Sequence, residues 1–183
     1  LLIMSAGFLK RDYAALIKDA RAEDYDLSGL ERIFCLSDGP PPEGMEAFEE
    51  LWRLGSDVPD DEIDAAQAAV AGEDIACLLY TSGSTALPKG VPLQHFALIE
   101  NMWGIGERLR LTPDDRLWLA VSLFWGLGCE NALFAVWTHG SSIVLQEHFD
   151  AGEALRLIEA ERCTIFYGTP NMTFALQEHP DYA

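Results

Sequence analysis

Short apolar runs alternate with amphipathic stretches at helical spacing along almost the whole chain. This alternation restricts the fold to strands that form sheets and helices that pack on them. Residues 1–6 (Leu-Leu-Ile-Met-Ser-Ala) read as a buried strand, and 11–21 places Tyr13, Leu16, Ile17 and Ala20 at helical spacing. A second strand is expected at 32–36, ended by Ser37-Asp-Gly-Pro-Pro-Pro42, because proline lacks the N–H that continues a ladder. A short helix is expected over 45–54, and the Asp-, Glu- and Ala-rich segment 55–74 reads as helix or surface loop. The continuous apolar run Ile75–Thr81 has the pattern of a strand covered on both faces. A second short strand follows at 90–93. Residues 94–109 form the strongest helical pattern, with Leu98, Met102, Ile105 and Leu109 on one face.

The turn cluster Thr112-Pro-Asp-Asp115 marks the expected boundary between a first lobe, 1–111, and the start of a second, 112–183. The second lobe repeats the rhythm: strand 116–122, helix 127–138 closed by Gly140, and strand 141–146. A helix then runs from Asp150 to about Arg162, with the Asp150 carboxylate accepting orphan N–H groups. A strand at 164–167 leads to a last helix opened by Thr169-Pro170, with proline at its tolerated first position. The expected class is α/β, with mostly parallel sheets flanked by helices.

Charge narrows the function. The 183 residues carry 12 Lys+Arg against 30 Asp+Glu, a formal net charge of −18, which repels polyphosphate surfaces and argues against a nucleic-acid partner. Anionic membrane surfaces are disfavoured for the same reason, and no apolar run approaches the ~20 residues of a spanning helix. Cys35, Cys77, Cys129 and Cys163 are scattered among apolar neighbours, with no Cys-x-x-Cys spacing and no Cys/His cluster. They read as reduced thiols, and no metal ligands are assigned. His139, His148 and His179 are expected on loops or in solvent. The chain reads as soluble and cytoplasmic, and its opening in a strand without methionine reads as a piece of something longer.

The segment Tyr80-Thr-Ser-Gly-Ser-Thr-Ala-Leu-Pro-Lys-Gly90 carries the chemistry. It places the hydroxyls of Thr81, Ser82, Ser84 and Thr85, the flexible Gly83 and the ammonium of Lys89 in one loop between two strands. Oxyanions need converging donors, which short hydroxyl side chains and bare backbone N–H groups supply. Gly83 lets the chain approach a ligand without a Cβ in the way, Pro88 stiffens its return, and Lys89 offers a mobile point charge. The spacing is not that of a Walker loop, because proline precedes Lys89 and a strand follows it.

The string Thr81-Ser-Gly-Ser-Thr-Ala-Leu-Pro-Lys-Gly-Val91 resembles the phosphate loop of adenylate-forming (AMP-binding) enzymes: acyl-CoA synthetases, luciferases and peptide-synthetase adenylation domains. His95, Asp114-Asp-Arg116, Ser122-Leu-Phe-Trp-Gly-Leu-Gly128, Thr138-His-Gly140 and Tyr167-Gly-Thr-Pro170 continue the resemblance in order, from about Ile75 to the carboxyl end. It implies that the chain forms parts of two lobes of the large domain of such an enzyme, of the acyl-CoA synthetase type. It also implies an AMP-forming acid–CoA ligase: a carboxylic acid attacks Mg2+-ATP to give an acyl-adenylate, and coenzyme A then takes the acyl group. By resemblance, Thr81, Ser82, Ser84, Thr85 and Lys89 hold ATP phosphates, Gly83 and Gly90 shape the loop, and Lys89 and Thr85 stabilise the charge of departing pyrophosphate. Ala86 departs from the glycine usual at that position. Phe124, Trp125 and Gly126, with Gly168, Thr169 and Pro170, correspond to turns that border the acyl and CoA pocket. Many members have histidine where Trp125 stands.

The resemblance also implies groups beyond Ala183: a glutamate that helps hold magnesium, an aspartate on the ribose, and a lysine of a mobile domain. These 183 residues are therefore expected to be inactive alone. Two other readings are a non-catalytic nucleotide-binding module and an adenylation domain that loads an amino acid on a carrier. The apolar stretch 123–127 lacks the aspartate such a domain uses for a substrate ammonium, which favours a fatty or aryl acid.

Overall fold

The computed structural model describes residues 1–8, 10–23, 25–81 and 87–182, arranged as two compact units, Leu1–Ala69 and Val70–Ala183. In the first unit, β1 (Leu2–Ser5) precedes a small antiparallel pair, β2 (Gly7–Phe8) and β3 (Arg11–Asp12). Helix α1 (Tyr13–Ala22) follows, capped by the Asp12 carboxylate, which accepts from Ala15 N at 2.9 Å. Strands β4 (Ile33–Leu36) and β5 (Glu46–Ala47) complete a parallel sheet of order β1-β4-β5. Ile33, Phe34 and Cys35 of the central strand are fully buried. The Arg32 guanidinium lies 4.8 Å from the centre of the Phe34 ring and donates to Glu46 Oε1 at 2.8 Å, tying the strand ends together.

The helix expected over 45–54 is shorter: Glu46–Ala47 pair with Phe34 and Cys35, and α2 covers only Glu50–Gly55. Pairing to a buried neighbour overrides helix propensity there. Helix α3 (Asp60–Ala68) has Asp60, Asp61 and Glu62 in its first turn, where the positive end of the peptide dipoles favours them.

The second unit opens with an antiparallel pair, β6 (Ile75–Thr81) and β7 (Lys89–Gln94). The expectation of a strand covered on both faces is corrected here. Among the described residues β6 pairs with β7 alone, and Ile75, Leu78 and Tyr80 are exposed. Helix α4 (His95–Leu109) buries Leu98, Met102 and Gly106, while Leu109, expected on the same face, is exposed.

Strands β8 (Arg116–Leu119), β9 (Ser142–Leu145) and β10 (Ile165–Tyr167) then form an all-parallel sheet of order β10-β8-β9. The central strand is buried on both faces, and its period of two divides the core. Leu117 and Leu119 face a cluster containing Leu98 and Met102 of α4 with Ala132, Ala135 and Val136. Trp118 and Ala120 face a second cluster containing Ala154 and Leu176. The first layer is completed by a π-helical segment, Leu127–Phe134, running into α5 (Ala135–Thr138). The second is built from α6 (Ala151–Ala160) and α7 (Pro170–Gln177). Asp150 caps α6 as expected, accepting from Glu153 N at 2.8 Å. An ordinary α-helix was expected over 127–138; most of that length is the wider π form.

His139 lies in the turn after α5, yet its ring is buried. It sits 3.2 Å from Glu107 Oε1, 3.0 Å from Thr138 Oγ1, and 6.2 Å between centroids from the Trp103 ring. All four cysteines are free, and burial pushes the thiols of Cys77, Cys129 and Cys163 up, which keeps them protonated and unreactive. Among the described residues no helix is long and apolar enough to cross a membrane.

Candidate functional site

The β6–β7 register pairs Tyr80 with Gly90 and Thr81 with Lys89, so the two ends of the Ser/Thr/Gly loop stand side by side. Directly opposed residues of an antiparallel pair project from the same face, with Cβ atoms about 4.5–5.5 Å apart. Thr81 and Lys89 therefore present a hydroxyl and an ammonium together at the mouth of the loop, and both are exposed. Ser82, Gly83, Ser84, Thr85 and Ala86 lie outside the described residues. Gly90 sits within β7, and a Cβ there would come 3.3 Å from Leu78 Cδ1, so its place is set by packing across the pair. A hydroxyl beside an ammonium on a ribbon edge fits an anion such as a phosphate oxygen. Among the described residues no group of three or more His, Cys, Asp or Glu gathers to hold a metal ion, so no magnesium ligand is assigned.

The parallel sheet builds a second feature. After β8 the chain turns into the π segment and α5 on one face; after β10 it turns into α7 on the other. Neighbouring strands whose following helices leave on opposite faces open a crevice at their carboxyl ends, the usual ligand position of open α/β sheets. An open cleft of about 390 Å³ lies there. Ala120, Val121 and Ser122 line it from the end of β8, Trp125, Gly126 and Leu127 from the turn that follows, and Thr169 and Met172 from the start of α7. Of the residues singled out in the sequence, the cleft brings together Trp125, Gly126 and Thr169. Phe124, Gly168 and Pro170 are near in sequence but are not part of this lining. Phe124 is 70% exposed, with its ring centroid 5.3 Å from that of Trp125.

One residue escaped the sequence reading. Glu130 lies inside the π segment and is 7% exposed, with Oε1 lacking a hydrogen-bond partner among the described residues. Burial holds its carboxyl above the usual carboxylate range. Its Oε2 occupies the space beside Gly126: a Cβ built on that glycine would lie 2.6 Å away. The Asn131 Nδ2 group donates to Gly126 O at 3.2 Å and fastens the same turn. The available signal was a lone acid inside the apolar run Leu127-Gly-Cys-Glu-Asn-Ala-Leu-Phe134.

The sequence model for the AMP-binding enzyme family matches residues 53–183. An acyl-CoA ligase of Aspergillus fumigatus is 34% identical over 154 residues, which cover 84% of this chain and 26% of that protein. A feruloyl-CoA synthase of Amycolatopsis is 34% identical over 128 residues, covering 67% of this chain and 26% of that one. The crystal structure of an anthranilate CoA ligase in complex with anthranoyl-AMP superposes with a TM-score of 0.75 at 26% identity, over 99% of this chain and 33% of the other. The chain thus spans about a quarter of the length of the curated relatives it matches.

Proposed function

The chain belongs to the AMP-binding enzyme family, and on that premise we propose that it is the part of an AMP-forming acid–CoA ligase that holds the triphosphate of ATP and borders the acid. The observation that carries this reading is the Thr81–Lys89 pair, which closes a loop rich in hydroxyls and glycine at the edge of an antiparallel ribbon. In this reading Thr81, Ser82, Ser84, Thr85 and Lys89 bind phosphate oxygens. As the acid's carboxylate attacks the α-phosphorus, the P–O bond to pyrophosphate breaks, and the Lys89 ammonium with the Thr85 hydroxyl stabilises the charge on the leaving group. Magnesium, when bound, neutralises phosphate charge. Coenzyme A then displaces AMP through its sulfur.

The cleft at the carboxyl ends of β8 and β10 takes the acid's tail, with Trp125 as an aromatic wall, and its apolar character suits a fatty or aryl acid. The two lobes of the whole protein divide at the 112–115 turn. The enzyme works in the cytoplasm, where free thiols such as Cys35 persist. Adenylation depends on positioning, so the 183 residues alone are inactive.

The test is acid-dependent exchange of labelled pyrophosphate into ATP by the whole gene product that carries these residues. Lys89→Ala should lower kcat/KM on the order of 10²-fold, as loss of one charge-stabilising donor does. An unchanged rate would overturn the proposal, and exchange by the 183-residue chain alone would overturn its inactivity in isolation.

A further inference from the structure

We propose that the first unit carries a binding site for a small molecule bearing a diphosphate group, formed by Lys10 and Arg11 together with Lys18 and Arg21. The site lies outside the Ser/Thr/Gly loop, and the inference does not rest on the ligase reading. Four of the chain's 12 Lys+Arg fall between positions 10 and 21. Lys10 and Arg11 line an open cleft of about 610 Å³, and Lys18 and Arg21 line one of about 560 Å³. The two clefts adjoin, sharing Asp12, Ala14 and Pro42 as walls. Arg32, Arg53, Arg116 and Arg156 each pair with a carboxylate. Among the described residues these four cations pair with none, in a chain that carries 30 Asp+Glu. The acids in the same walls are Glu43 and Asp12, and Asp12 Oδ1 is already engaged by Ala15 N at 2.9 Å.

The place in the fold agrees with the charge. The first cleft begins at Ala6 and Gly7, directly past the carboxyl end of β1, where open parallel sheets hold their ligands. Opposite α1, Gly44 has a φ of +77°, and a Cβ there would come 3.4 Å from Arg21 Nη1. The guanidinium therefore rests against bare backbone at the cleft wall. Cations gathered in a concavity focus their field on an anion, and here they do so against a formal net charge of −18. Guanidinium groups grip phosphate through paired N–H bonds, and ammonium groups add point charges. Two cation pairs in adjoining clefts match two linked phosphates, and Ile17 and Met45 give apolar surface to an attached organic body. Inorganic pyrophosphate and a nucleoside diphosphate share this chemistry.

The experiment is calorimetric titration of the whole gene product with inorganic pyrophosphate and, separately, with ADP. Wild type should bind a second equivalent of at least one probe beyond the one expected at the Ser/Thr/Gly loop. Lys10→Ala with Arg11→Ala, and Lys18→Ala with Arg21→Ala, should each weaken that second equivalent by about 10-fold or more, while Lys89→Ala leaves it in place. Uptake of both probes assigns the site to the phosphates themselves, and uptake of ADP alone assigns it to a nucleotide. Acid-dependent pyrophosphate exchange should stay within a few-fold of wild type in both double variants, which also shows that they fold. A single equivalent of each probe in wild type, a second equivalent that survives both double variants, or one lost in Lys89→Ala overturns the inference. So does an exchange rate that falls together with binding. A second equivalent bound by a wild type without exchange activity upholds this site and overturns the ligase reading instead.

Discussion

Helix α4 contains a matched pair of glycines that should respond in opposite directions to the same change. In a helix interior alanine is favoured over glycine by about 1 kcal/mol. At Gly104 nothing lies within 4 Å of an added Cβ, so Gly104→Ala should realise most of that gain. At Gly106 the added Cβ would lie 2.3 Å from Cε1 and Nδ1 of His139, more than an ångström inside ordinary contact. The ring cannot swing aside freely, because its side chain is 8% exposed, held at 3.2 Å by Glu107, and stacked on Trp103. Overpacking costs about 1–3 kcal/mol, and a displaced hydrogen bond costs about 1 more. Set against the propensity gain, Gly106→Ala should destabilise by about 1–3 kcal/mol.

Denaturant and thermal melts of the two variants would measure this. At about 2–4 °C per kcal/mol, the thermal midpoint of Gly104→Ala should rise by a few degrees and that of Gly106→Ala should fall by several. The double variant Gly106→Ala with His139→Ala should recover part of the loss, because the clash has gone, and a thermodynamic cycle reads that coupling directly. If Gly106→Ala is as stable as Gly104→Ala, or if removing the imidazole rescues nothing, the packing argument fails.

Two further expectations concern unit 2. Asp150→Ala should lose about 0.5–2 kcal/mol in the same melts, because the N–H of Glu153 is left without its cap at the start of α6, while Asp150→Asn should retain most of the stability. The carboxyl of Glu130 is held above its ordinary 4.5 by burial, so the folded chain keeps its proton to higher pH than the unfolded chain does. Stability from this group is complete below the ordinary value and is lost as pH rises through the folded one. Glu130→Gln should therefore gain stability relative to wild type as pH rises from about 4 to 8, and a difference that does not vary with pH would refute the burial argument.

Much of the architecture could be read from local pattern. The order of strands and helices in the second unit follows the alternation of runs, because a strand's period of two and a helix's of 3.6 are both written in neighbouring residues. Asp12 and Asp150 announced helix starts through a single side chain reaching its own backbone, although the sequence reading noticed only the second. The string 81–91 stood out for the same reason, since its hydroxyls, glycines and lysine are close neighbours in the chain.

What depended on distant partners was not legible. The run Ile75–Thr81 looks like a core strand, yet which faces are covered depends on which elements reach it, and among the described residues β7 alone pairs with it. Glu46–Ala47 became a strand because Phe34 and Cys35 offered them a ladder. The meeting of Gly106 and His139 joins residues 33 apart in sequence, and no periodicity encodes it. The cleft exists because the helices after β8 and β10 leave the sheet on opposite sides, and Glu130 is buried because the π-helical turn aims it at Gly126. Residue spacing sets which faces are apolar, but burial of a charge and the opening of a crevice are sums over elements far apart in the chain, so they become defined only when the layers have packed.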